Sequence, residues 1–230
     1  MDKEKTFYLI KNGSVFYFDD YYFQKPQLIP SADAASFKVI SQWFGSDQAH
    51  VYFLHNVVIG VDPRSFTYLG GYNCQWAKDR SFAYYFWPTK AARQWKTLES
   101  KSLEAFKILP SCRFSEYAGD EQNIFYMGRK IRGVNAKSFH IMPAENIEDK
   151  SVVKSFSYGR DHKRIYFNGK PIEGINCESF RVVHASSGTA HREYGTDGVQ
   201  AFFNDSFRNR LGTISYSQLP ASIQEYLQQK

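Results

Sequence analysis

The stretch Tyr158-Gly159-Arg160-Asp161-His162-Lys163-Arg164-Ile165-Tyr166-Phe167-Asn168-Gly169-Lys170-Pro171-Ile172-Glu173-Gly174 contains a complete β-hairpin in readable form. Ile165-Tyr166-Phe167 and Lys170-Pro171-Ile172 read as strands joined by Asn168-Gly169. Asn-Gly is the strongest short hairpin signal, because both turn positions need positive φ. Pro171 has no amide to give a ladder, so its strand belongs at a sheet edge. Asn176-Cys177-Glu178-Ser179-Phe180 then reads as a capped turn: the Asn side chain satisfies free amides and Phe180 is turned inward.

Working outward, the same pattern recurs. Gly45-Ser46-Asp47, Gly119-Asp120, Gly159-Arg160-Asp161 and Gly195-Thr196-Asp197 are each followed, five residues after the Asp, by Tyr52, Phe125, Tyr166 or Phe202. Nineteen residues after the Asp stand Phe66, Phe139, Phe180 and Tyr216. Two longer copies complete the set. Asp79 with Tyr84 and Phe106 is stretched by eight residues, and Asn12 with Tyr17 and Phe37 by six. Four residues before each closing aromatic lies a capping or turn type: Asp33, Asp62, Ser102, Asn135, Asn176 and Gly212.

Each unit therefore reads as a hairpin, a capped turn and a third short strand. A lone hairpin is marginal in water, so such units are expected to stack and share an apolar core. The fold class is all-β: six tandem hairpin-plus-strand repeats, closed like a small propeller or open as a β-solenoid. The expected organisation is one repeat domain over residues 1–230, with repeats at about 6–42, 43–71, 72–110, 111–143, 144–184 and 185–219. Ser222-Ile223-Gln224-Glu225 matches a capping box with Pro220 just upstream, which predicts a C-terminal helix over residues 221–229. Ile223, Tyr226 and Leu227 fall on one face of it, suited to covering the end of the array. The recurrent Asp, Asn, Phe and Tyr are expected to build the unit, not to do chemistry.

The run from Tyr158 to Gly174, with Gly133-Val134-Asn135-Ala136-Lys137-Ser138-Phe139 and Gly60-Val61-Asp62-Pro63-Arg64-Ser65-Phe66, resembles the DKNYY family of bacterial repeat proteins. The resemblance runs through nearly the whole chain and is strongest in the fourth and fifth units. It is weakest in the sixth, where Tyr216 replaces Phe and Gly212 replaces Asp, and the third unit carries an insertion. The resemblance implies a bacterial protein, often exported, of a kind similar to immunity proteins encoded beside secreted toxins. It carries no catalytic residues across.

Composition narrows the remaining classes. Aromatics make up 17% of the 230 residues, which suits half-buried pleated surfaces and argues against disorder. The net charge of +6 permits an acidic partner without selecting one. Cys74, Cys112 and Cys177 form no Cys-x-x-Cys pair and read as small apolar residues. Met1-Asp2-Lys3-Glu4-Lys5 is charged and leads straight into a strand-like run, which predicts a cytoplasmic chain, or a periplasmic one whose leader has been removed. No apolar stretch approaches the length of a membrane span.

No motif with catalytic mechanics emerges. Gly169-Lys170 lacks the rest of a phosphate loop, no Gly-x-Ser-x-Gly elbow occurs, and His50, His55, His140, His162, His184 and His191 show no metal-ligand spacing. The chain is expected to be no enzyme, with no cofactor and no metal. Binding residues are instead sought where the copies differ, because insertions on a rigid scaffold are free to carry function. The first insertion offers Asp19, Asp20, Tyr21 and Tyr22; the second offers Trp87, Lys90, Arg93, Trp95 and Lys96, a composition typical of interface hot spots.

Three functions follow in order of support. The first is a protein-binding module, most concretely an immunity protein that occludes a toxin. The second is a carbohydrate or cell-wall binding module using exposed Tyr and Trp as stacking platforms. The third is nucleic-acid binding through Lys163, Arg164, Arg208 and Arg210, which ranks last because the cations are dispersed among acids.

Overall fold

The computed structural model describes residues 7–19, 23–71, 75–87, 94–109, 116–187, 190–205 and 210–229. Its strands are short, and all but one of their pairings are antiparallel. The chain divides into two compact units, Met1–Leu103 and Glu104–Lys230.

In the first unit, β1 (Tyr8–Lys11), β2 (Ser14–Asp19) and β3 (Phe23–Leu28) form a three-stranded meander. Strands β4 (Lys38–Val39), β5 (Phe44–Ser46), β6 (Val51–Phe53) and β7 (Asn56–Val57) form the next sheet, and β8 (Thr67–Gly70), β9 (Gln75–Lys78), β10 (Ala83–Trp87) and β11 (Gln94–Leu98) the third. The second unit opens with β12 (Lys107–Ile108), β13 (Tyr117–Gly119), β14 (Ile124–Tyr126) and β15 (Arg129–Lys130). It continues through β16 (His140–Asn146), β17 (Val152–Arg160), β18 (Ile165–Phe167), β19 (Lys170–Pro171), β20 (Arg181–Ser187), β21 (Ala190–Thr196), β22 (Gln200–Asp205) and β23 (Arg210–Ser215). These last eight make one sheet, joined at its middle by the parallel pairing of β16 with β20. A 3-10 turn, Tyr216–Gln218, and the helix α1 (Ala221–Gln228) end the chain.

The all-β reading holds, and the decisive hairpin is present as read. Asn168 and Gly169 take φ of 48° and 73°, Phe167 pairs with Lys170, and Pro171 lies on β19, the outermost strand of its sheet. The short strand after each closing aromatic, however, pairs with the hairpin that follows it: Lys38 with Ser46, and Lys107 with Gly119. A sheet therefore begins with the tail of one sequence unit and takes its hairpin from the next.

That offset places each closing aromatic against the following sheet. An added Cβ on Gly45 would lie 2.2 Å from the Phe37 ring, on Gly159 2.3 Å from Phe139, and on Gly195 2.4 Å from Phe180. The glycine two residues before the Asp is thus absent of side chain because an aromatic occupies that space. The residue three before the Asp is also aromatic: Phe44, Trp76, Tyr117, Tyr158 and Tyr194. Several reach across to a neighbouring hairpin. The Tyr117 hydroxyl donates to Ser157 O at 3.0 Å and accepts from Gly169 N–H at 2.9 Å, and Tyr158 donates to Phe202 O at 3.3 Å. In the first unit Tyr8, in the matching place, lies 2.8 Å from Leu54 O. Burial pushes the Tyr8, Tyr117 and Tyr158 hydroxyls well above the ordinary tyrosine value.

Three local expectations are corrected. Asn12 is no counterpart of the recurrent Asp: with Gly13 it forms a two-residue turn (φ 52° and 72°) between β1 and β2. Gly212 is no turn residue either. It lies inside β23 opposite Phe203, whose ring takes the space a Cβ would fill, in a ladder where β22 and β23 pair over six positions. Finally, the last helix starts at Ala221 with Pro220 at its N-cap, so Ser222 lies inside it. The reciprocal capping arrangement occurs one turn earlier, between Ser215 and Gln218 of the 3-10 turn. Ile223 and Tyr226 are buried as expected, Leu227 is partly so, and all three join one apolar cluster with Val183, Tyr194 and Ala201.

Candidate functional site

The recurrent Asp proves to be a four-bond knot. Asp47 Oδ1 accepts the amides of Ala49 (2.8 Å) and His50 (2.7 Å); its Oδ2 accepts the Tyr52 hydroxyl (2.7 Å) and the amide of Asp33 (3.0 Å). Asp79 repeats this with Ser81, Phe82, Tyr84 and Asp62, and Asp161 with Lys163, Arg164, Tyr166 and Asn135. One carboxylate closes its own β-turn, anchors the tyrosine five residues on, and ties down the preceding capped turn. Burial would raise these carboxyls. The amide and hydroxyl bonds outweigh it and hold Asp47, Asp79 and Asp161 below the usual aspartate range. Their tyrosines move the other way: burial first, then the bond to the carboxylate, pushes Tyr166 up to about 12.

The two Phe-bearing copies compensate differently. Asp120, ahead of Phe125, takes the Asn123 side-chain amide at 3.2 Å, besides the amides of Gln122 and Asn123. Asp197, ahead of Phe202, takes the amides of Val199, Gln200 and Asn176. In every copy the oxygens are directed at the chain's own donors, which suits a scaffold knot. A buried carboxylate that the spacing did not reveal plays a similar part. Glu193 accepts from Ser155 Oγ (2.9 Å) and Ser157 N–H (3.3 Å) where β17 bends away from β16. Being a single occurrence, it left no repeat to notice.

The clearest departure from the module is the third hairpin. Where β6 ends and Leu54 turns at φ 57°, β10 runs on through Phe86 and Trp87 and returns along β11. The second insertion thus begins and ends as paired strand: Trp87 faces Gln94 and Phe86 faces Trp95. Trp95 packs on the first unit's core, its ring 6.4 Å from that of Phe86. Trp87 lies on the opposite face, half-buried beside Tyr85 (5.4 Å between rings), with the Lys96 ammonium 5.8 Å over its own ring. Lys90 and Arg93 lie outside the described residues. Of the first insertion, Asp19 pairs with Phe23 at the end of β2 and β3, while Asp20, Tyr21 and Tyr22 lie outside the described residues. The structure brings Trp87 and Lys96 together and shows no meeting of the two insertions among the described residues. Arg208 is likewise outside them; Lys163 and Arg164 are exposed on the turn that follows Asp161.

A sequence model of the DKNYY family matches residues 8–156. The chain belongs to the DKNYY family. The match ends within β17, ahead of Asp161, yet that knot repeats the geometry of Asp47 and Asp79 bond for bond. The knot geometry therefore recurs beyond the matched segment. No curated protein matches the chain. Among the described residues no helix is long and apolar enough to cross a membrane.

Proposed function

We propose that this DKNYY protein is a non-enzymatic protein-binding module, and more narrowly an immunity protein that occludes a cognate toxin. The observation that carries the reading is the extended third hairpin. Its extra residues are not needed to complete a module, since β6 closes without them, and they present a half-buried Trp87 with Lys96 across its ring. A large ring held in place by a cation loses little freedom on docking, which is the property of an interface anchor. The knots, by contrast, are consumed in building the scaffold.

The reading is tested with the product of a toxin-like gene adjacent to this one, purified and titrated against the chain. A stable complex is expected, weakened about tenfold or more by Trp87→Ala with Lys96→Ala. Deleting the chain should sensitise cells to that toxin. Unchanged sensitivity, or Trp fluorescence quenched by cell-wall fragments and not by the toxin, would contradict it.

A further inference from the structure

The edge strand after each two-residue turn can be compared position by position. In the second sheet it reads Asn56-Val57-Val58-Ile59-Gly60, in the fourth Arg129-Lys130-Ile131-Arg132-Gly133, and in the fifth Lys170-Pro171-Ile172-Glu173-Gly174. The buried residue is apolar in all three: Val58, Ile131 and Ile172. The outward positions differ. The second sheet leaves them uncharged, with Ile59 80% exposed, while the fourth carries three exposed cations. Charged edges ordinarily guard against stray strand pairing, but the second sheet forms the same edge without any. Arg129, Lys130 and Arg132 are therefore not required by the fold.

The neighbouring module adds to them. A Cβ on Gly169 would lie 2.6 Å from Tyr126 Cβ, and Tyr126 is the register partner of Arg129, so the turn leading into Lys170 rests beside the cationic edge. One Nη of Arg164 lies 3.1 Å from where a Gly133 Cβ would stand, just past Arg132. Among the described residues none of Arg129, Lys130, Arg132 and Lys170 shares an ion pair with a carboxylate. The rings beside them are buried, as Tyr126 is, so no platform for stacking bases accompanies the charge.

We infer that this cationic edge of the second unit, Arg129, Lys130, Arg132, Arg164 and Lys170, is a docking surface for an acidic protein partner. An excess of positive charge, with Glu173 as the one acid on the adjoining edge strand, accelerates encounter with an acidic surface and disfavours basic competitors. The inference rests on the protein-binding reading but uses a surface independent of Trp87 and Lys96.

The test replaces the edge with the residues its structural twin carries: Arg129→Asn, Lys130→Val and Arg132→Ile together in the full chain. The probe is a fluorescein-labelled dodeca-glutamate peptide at low salt, with a duplex DNA of about two helical turns in parallel. The peptide is expected to bind, to weaken about tenfold in the swapped variant, and to weaken steeply as salt shortens the Debye length. A control of equal charge change, Lys11→Gln with Lys25→Gln and Lys38→Gln, should bind as the unaltered chain does, and thermal unfolding should show both variants folded. Absence of peptide binding, equal loss in the control, or tighter binding to DNA than to the peptide would overturn the inference. If the swap is silent while Trp87→Ala still weakens the toxin complex, this surface fails and the protein-binding reading stands.

Discussion

The second and third sheets of the first unit start alike and finish differently. Both are knotted by an aspartate, Asp47 or Asp79, that accepts two turn amides, a tyrosine hydroxyl and the amide of a preceding capped turn. One then turns at Leu54, while the other continues through Trp87. What is shared is needed to make a module; what is added is free to serve a partner. Even the seal between successive turns follows this division. Arg80, after Asp79, pairs with the Asp62 carboxylate, whereas Gln48, after Asp47, only lends its amide to Ser36.

Removing the shared knot should have the largest effect. Asp47→Ala or Asp79→Ala strands two turn amides and a capped-turn amide and removes a tyrosine's carboxylate acceptor, though Tyr52 keeps Ser31 O at 3.0 Å, and each should lower unfolding free energy by about 3–5 kcal/mol in urea titrations. Equal losses would sharpen the comparison, and a silent variant in either sheet would break it.

The space for the closing aromatic comes next. Gly45→Ala places a Cβ against the Phe37 ring and should cost about 1–3 kcal/mol. The third sheet already has Ala77 in the matching place, so Ala77→Gly should cost only about 0.5–1 kcal/mol. Similar costs at the two sites would show that the glycine is not there for the ring.

Acid should loosen both sheets together. Asp47, Asp79, Asp161 and Asp197 all lie below the ordinary aspartate value in the folded chain, so the unfolded chain binds protons more readily. Their contribution is complete above the unfolded value of about 3.9 and is lost as pH falls through the folded values. Glu116 works the other way, because burial raises its carboxyl against the Tyr126 hydroxyl bond. The midpoint of thermal unfolding should therefore fall steeply below about pH 4. A flat profile from pH 5 to pH 2 would contradict the knots.

Single hydroxyls should also have a small effect. Tyr52→Phe and Tyr84→Phe each remove one of the knot's four bonds, the first also a bond to Ser31 O, and should cost about 1 kcal/mol, since Asp120 and Asp197 manage with Phe125 and Phe202. A larger loss would mean that the tyrosine, not the amides, holds the knot.

Much of the scaffold was legible because it is periodic. The Asp-to-tyrosine interval reports a bond that closes across one turn, and Asn168-Gly169 reports a backbone that few other residues adopt. The glycines at 45, 159 and 195 stood in plain view, but their purpose depends on rings eight to twenty residues earlier, whose direction no interval discloses. Asn12 and Gly212 match the spacing without sharing the role, because the same interval arises from a different local pairing, a two-residue turn in one case and a long ladder in the other. Pro220 displaced the expected N-cap because its carbonyl already accepts the amides of Ile223 and Gln224. The candidate site was legible only in part. Composition pointed to Trp87, Trp95 and Lys96, but strand alternation sends Trp95 inward and leaves Trp87 with Lys96 on the other face.

The division between a shared knot and an added hairpin is tested most directly by equilibrium urea unfolding of Asp79→Ala beside Trp87→Ala. The account predicts a loss of about 3–5 kcal/mol for the first and less than half of that for the second. A greater loss from Trp87→Ala than from Asp79→Ala would contradict it.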